Sequence, residues 1–401
     1  MKVKMCHLKV NKMKKLCYPV LAFFLIMNFG TSCRKQQKEI QAAHIVEISD
    51  DDLKNTASRA SEIFDSVEFV FLETNEDCLM GRVSKVLVTK DYFILKSAKA
   101  VFIFDREGTF VRRIYHVGRG HGEYIGLDYI SLLSDGNLIL LDTENKKMLG
   151  YNMSDSLLFD IKLPFFPRAV EERGDGMLVF AVAGRDDHII VWNRQKGEIQ
   201  RRLLPFNIKY AITIARPLLK YGGDVYFTQE YRPGLFKVED NGLTWQWYID
   251  AGDRTIQEGD LEPVDFFGAT VYVPWPKKAV VRDFLESDHI FCFTYECEII
   301  SEDLFYVFYS KKTNNKVVSY SDVYLDDMTL YSDYYRPFAI SPENQVVCVF
   351  DAGKWLKSVE EYRPKARTLG LEDAFDSLQP QLSGMSPDDN PVLALFKIKD
   401  F

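Results

Sequence analysis

The chain returns six times to one β-rich unit, and that return constrains its fold more than any other feature. Short apolar strands centred on Phe93, Ile139, Val179, Tyr226, Phe291 and Val347 follow one another at spacings of 46, 40, 47, 65 and 56 residues. A period of about 40–50 residues is that of a four-stranded propeller blade. Within a unit a further apolar strand, a polar turn and another strand follow, as in Val101 to Phe104, Asp105-Arg106-Glu107-Gly108 and Phe110 to Tyr115. Asp, Asn and Gly occupy the turns, where positive φ is needed. The pattern predicts an all-β fold, a six-bladed β-propeller over residues 67–401.

The last unit is one strand short, because the chain ends at Leu393 to Phe401 in what should be its third strand. Val67 to Leu72 lies ahead of the first full unit and has no other partner. Pairing this N-terminal strand with the last unit completes the sixth blade and closes the ring, removing a sheet edge that would invite aggregation. Two stretches break the rhythm. Residues 252–281, with Pro263, Pro274, Trp275 and Pro276, lengthen the link between units four and five. Residues 354–391 read as a small helical insertion in blade six, with Leu369, Leu371, Phe375 and Leu378 as its buried stripe ahead of a break at Pro380. Both links open on the same face of a propeller and decorate one side of it.

Residues 1–32 differ from the rest and read as a signal peptide. They hold six lysines, no acid, and the apolar run Leu16 to Phe29, shorter than the about 20 residues that a membrane-spanning helix needs. The run ends at Gly30-Thr31-Ser32-Cys33, which looks like a bacterial lipobox. That likeness implies cleavage before Cys33, lipidation of its thiol and attachment to a membrane through the lipid anchor alone. Residues 33–66 read as a polar tether from lipid to fold. Their basic start, Arg34-Lys35, resembles lipoproteins that face the periplasm, which predicts the bacterial envelope and the periplasmic side of the outer membrane. Without the leader the chain carries 44 basic and 58 acidic residues, a net charge of −14 against −8 for the whole. That charge excludes nucleic acid and anionic lipid surfaces as partners. Cys78, Cys292, Cys297 and Cys348 remain, an even number that permits two disulfides in an oxidising compartment. The apolar strands around Cys292 and Cys348 favour buried free thiols instead.

One column of the repeat carries charge. Arg82, Asp128, Arg168, Arg216, Arg282 and Arg336 stand 9 to 11 residues ahead of the six strand centres. The innermost strand of each blade begins beside the axial channel, so these side chains are expected to converge around one mouth. Five guanidiniums there would take an anionic ligand through bidentate hydrogen bonds. The competing expectation is that each arginine bridges to an acid or carbonyl of a neighbouring blade. On the same face Gly118-Arg119-Gly120-His121-Gly122-Glu123-Tyr124 links units one and two. Its glycines allow backbone N–H groups to turn inward as an anion nest, with Arg119, His121, Glu123 and Tyr124 as candidate ligand contacts. A tight corner with Arg119 paired to Glu123 is the alternative. A strand rather than a helix follows, which excludes a dinucleotide fingerprint.

The Gly118 to Tyr124 segment, together with Asp389-Asn390-Pro391-Val392 before the closing strand, resembles the six-bladed β-propeller lipoproteins of gut bacteria, relatives of NHL-repeat propellers. The resemblance spans about residues 60–401 and implies a fold and an envelope location rather than an activity. The residues themselves read as a binding module for an anionic small molecule, glycan or peptide, with no cofactor, metal or catalytic residue assigned. Two alternatives stay open. Asp240-Asn241-Gly242-Leu243-Thr244-Trp245 resembles one Asp-box turn of sialidases, propellers that bind a substrate carboxylate with arginines and use a tyrosine nucleophile. Tyr335, Tyr124 and Glu123 therefore keep a glycan-active hydrolase or lyase in view. A structural partner of another envelope protein is the other alternative.

Overall fold

Apolar runs broken by Asp-, Asn- and Gly-rich turns fold this chain into antiparallel meanders. The computed structural model describes residues 41–182, 188–203, 216–229, 231–266, 269–274, 277–297, 304–321, 325–332 and 336–401. The leader and Cys33 lie outside the described residues, as do Trp275, Tyr334 and Tyr335.

Blade one runs from axis to rim as Val83–Val88, Tyr92–Ser97, Ala100–Asp105 and Phe110–Ile114. Five further sheets repeat it, with innermost strands Tyr129–Leu132, Pro167–Glu172, Leu218–Tyr221, Ala279–Glu286 and Ala339–Ile340. Each innermost strand touches the next, and the sixth touches the first, so six blades close a ring. The second strand of every blade is the one that marks the repeat, and Phe93, Ile139, Val179, Tyr226, Phe291 and Val347 are all buried. Apolar side chains on both faces of these strands pack against neighbouring blades, which is why they read as continuous apolar runs.

The chain ends meet as expected. Phe64–Phe71 pairs antiparallel with Val392–Ile398, Val70 opposite Leu393, and forms the outermost strand of blade six. The insertion between the second and third strands of that blade holds the helices Ala352–Tyr362 and Glu372–Leu382. Asp351 caps the first by accepting from the Lys354 amide at 2.9 Å, and buried Trp355 donates its indole N–H to the Thr329 carbonyl at 2.6 Å. Leu371 and Leu378 are buried there, with Leu369 and Phe375 partly so. Pro380 does not break the second helix, which continues to Leu382. The proline stands in the last turn, so only a terminal hydrogen bond is lost. A hairpin, Leu261–Phe266 with Ala269–Pro274, occupies the long link between blades four and five.

The stretch read as a tether is ordered from residue 42. Ala42–Glu47 adds a fifth, parallel strand to the rim of blade four, from Ala42 opposite Trp245 to Glu47 opposite Asp250. The chain then crosses the rim of blade five, where the Ala57 amide donates to the Val318 carbonyl at 2.7 Å, and enters blade six. Val46 and Ile48 drive this strap, since both are buried in the apolar cluster between blades four and five. Ala42–Phe401 is accordingly one compact unit, which takes in residues 42–66 as well as 67–401. Cys78, Cys292 and Cys348 are buried free thiols, and Cys297 is partly buried. Among the described residues no helix is long and apolar enough to cross a membrane.

Candidate functional site

The innermost strands begin irregularly, and that irregularity aims the charged column. Register shifts fall between Val83 and Lys85, between Pro167 and Ala169, and between Arg282 and Leu285, at the starts of blades one, three and five. Such bulges bend a strand and redirect its side chains. In blade five the bulge places Asp283 at φ 55°, a left-handed conformation that Asp tolerates better than most residues. Its carboxylate there accepts from the Arg336 guanidinium of blade six.

Four members of the column come together. Burial, followed by the fields of Arg216, Arg282 and Arg82, pushes the Arg336 equilibrium down to about 9, so these cations share one neighbourhood. Arg216 donates to the carbonyls of Pro337 at 3.0 Å and Phe338 at 3.3 Å and lies over the Phe338 ring, 5.2 Å from its centre. Arg282 meets Glu296 at 3.4 Å. Arg82 is exposed and has no ion pair among the described residues. Arg168 is also exposed and unpaired among them, but nothing joins it to the other four. Asp128 is turned to a local task, accepting from the Thr143 amide at 2.7 Å. Arg336 bridges to an acid of the neighbouring blade, Arg282 to an acid of its own blade and Arg216 to carbonyls of blade six, while Arg82 is exposed.

Beneath Arg216 a cavity of about 720 Å³ follows the axis to the exposed turns at Lys90, Asp91, Gly136 and Gly222 on the opposite face. Its polar wall holds a group that the column arithmetic passed over. Lys85 lies 3.2 Å from the Glu171 carboxylate and 3.5 Å from the centre of the Tyr129 ring. Tyr129 and Ser131 donate their hydroxyls to the two oxygens of Glu171, at 2.8 and 2.7 Å. Burial pushes the Lys85 amine down to about 8 against the pull of Glu171, and the nearby Arg216 lowers it further. Burial and the adjoining carboxylate raise the Tyr129 hydroxyl well above its ordinary value. The signal was present in the sequence. Three residues after the charged column stand Lys85, Ser131, Glu171, Leu219, Leu285 and Ala339, polar in blades one to three and apolar in blades four to six.

The glycine-rich link is filled by the chain's own acids. Glu123 accepts from the Gly120 amide at 2.6 Å, and Asp160 accepts from the Gly122 amide at 2.7 Å. A Cβ on Gly118 would meet the Glu123 carboxylate and displace it from this position. Arg119 is exposed and makes no ion pair with Glu123, while His121 lies 3.3 Å from Asp160. Tyr124 is buried and donates to the Lys99 carbonyl at 2.7 Å, so its hydroxyl is spent within the fold. The link is a corner whose three glycine N–H groups are satisfied within the chain, and the small hollow beside it, lined by Arg119, Lys147 and Lys162, measures about 430 Å³. Asp240 of the Asp-box-like turn pairs with Arg173 at 2.6 Å on the neighbouring blade.

Comparison with solved structures places the fold. A protein from Bacteroides fragilis described as exported superposes with a TM-score of 0.68 over 89% of this chain and all of its own, at 18% identity. A member of the DUF4221 family from Bacteroides vulgatus superposes with a TM-score of 0.50 at 8% identity, covering 84% of this chain and 98% of its own. No curated protein matches the sequence. A family match runs from the rim strand of blade four almost to the end of the last strand of blade six, over residues 44–397, and the chain therefore belongs to the family described as a domain of unknown function, DUF4934.

Proposed function

We propose that this propeller is a lipid-anchored binding module of the bacterial envelope, held at the periplasmic side of the outer membrane through Cys33, and that its arginine mouth takes an anionic small molecule, glycan or peptide. The observation that carries the reading is the gathering of Arg82, Arg216, Arg282 and Arg336, four cations of which two meet acids, Asp283 and Glu296, on a protein of net negative charge. Like charges held together cost free energy, and a multivalent anion relieves that cost. Guanidinium suits this role because it stays charged and bonds carboxylate or phosphate in a fork. The lipobox-like Gly30 to Cys33 and the likeness to an exported protein support the location.

Citrate serves as a probe of the mouth by titration calorimetry. Arg82→Ala removes an exposed cation that no acid of the described residues holds. It is expected to weaken citrate binding about tenfold, the equivalent of about 1.4 kcal/mol, with an unchanged melting temperature. Citrate binding that is identical in the wild-type and the variant would end the proposal.

A further inference from the structure

The axial cavity has a chemistry of its own and shares Arg216 with the mouth. Its inner end presents two cations, Lys85 and Arg216, and one carboxylate, Glu171. Glu171 is already answered by the hydroxyls of Tyr129 and Ser131 as well as by Lys85. Lys85 makes one hydrogen bond and carries three donors, so part of its ammonium remains available to the cavity it lines. A buried ion pair gains little stability over apolar residues of the same volume, so packing alone gives no reason for charge here. Val88 from blade one and Leu219, Leu285, Phe338, Ala339 and Ile340 from blades four to six supply an apolar stretch of the wall, beside the polar Lys220, Tyr221 and Glu286. From Lys85 to Val88 the innermost strand of blade one advances three residues, about 10 Å at about 3.3 Å each.

We infer that the channel is a second binding site, entered from the turn face, for a monocarboxylic acid with a slender apolar body, its carboxylate on Lys85 beside Arg216 and its body along the apolar wall. A charged head alone gains nothing from Leu219 and Leu285, and an apolar body alone leaves unused the donors that Lys85 still carries beyond its bond to Glu171. Only a ligand with both satisfies the two halves of the wall. The volume fits a ligand of this size, since small-molecule sites run from about 300 to 1,000 Å³.

Octanoate and octanol are the probes, titrated into the purified protein and followed by calorimetry. Octanoate is expected to bind at least tenfold more tightly than octanol. The double variant Lys85→Met/Glu171→Gln removes both charges together, so neither is stranded, and is expected to abolish that preference. Leu219→Trp fills the apolar wall without touching the charged end and is expected to weaken both probes at least tenfold. Arg82→Ala, which tests the mouth with citrate, is expected to leave octanoate unchanged, so failure of either site is seen separately. The inference is overturned if octanoate fails to bind at millimolar concentration. It is equally overturned if octanoate binds no better than octanol, if Leu219→Trp binds it as the wild-type does, or if Arg82→Ala abolishes its binding.

Discussion

Lys85 stands between a carboxylate at 3.2 Å, an aromatic face at 3.5 Å and the repelling field of Arg216. Burial outweighs Glu171 and lowers its equilibrium to about 8 from 10.5 in the unfolded chain. At neutral pH the amine is still charged, and folding works against that charge. Between about pH 8 and 10.5 the unfolded chain binds the extra proton, so stability climbs with pH across this window. Urea unfolding at successive pH values is expected to show that rise in the wild-type and a smaller one in Lys85→Met/Glu171→Gln, where the lowered Arg336 still contributes. A wild-type profile that falls through the same window would contradict the assignment. Arg336 and Asp283 show a second lesson at this scale: a residue chosen for its place in a repeat acquires its partner from a bulge in another blade.

At the level of elements, the innermost strands do two things at once. Their starts carry the arginines, and their bodies carry the split wall of the channel, because a strand beside the axis turns alternate residues toward it. The rim strap is the element the sequence disguised. Ala42–Glu47 is a short stretch among polar residues, and its alternation becomes meaningful only against the rim of blade four. His44 stacks on Trp247 there, ring centres 4.3 Å apart, and Ile48 enters the core beside it. Ile48→Ala is expected to cost about 2–4 kcal/mol, read as a lower urea midpoint at an unchanged slope. A loss below about 0.5 kcal/mol would mean that the strap adds no packing.

For the whole molecule, closure is the decisive event. Blade six takes three strands from residues 339–398 and its outermost strand from a distant part of the chain, with Phe64–Phe71 meeting Val392–Ile398 across more than 300 residues. Contacts of such separation form late and bind the ring into one cooperative unit. Phe396 is fully buried between these strands, and Phe396→Ala is expected to cost about 3–5 kcal/mol. Far-ultraviolet and near-ultraviolet circular dichroism should still report a single coincident transition. Two separated transitions would show that blade six opens independently of the rest.

The sequence by itself determined the number of blades, the apolar second strands, the closing pair and the column that places an arginine or Asp128 at the start of each blade. Each of these is a local period, and a period survives without knowledge of what lies across the fold. Tertiary structure alone decided that Arg336 meets Asp283, that Asp128 turns to Thr143, that Glu123 fills its own loop, and that Lys85, Tyr129 and Glu171 share one wall. Those outcomes depend on bulges, on the stagger between blades and on which surface is hidden from water, and such quantities arise only when residues far apart in the chain are brought within a few ångströms.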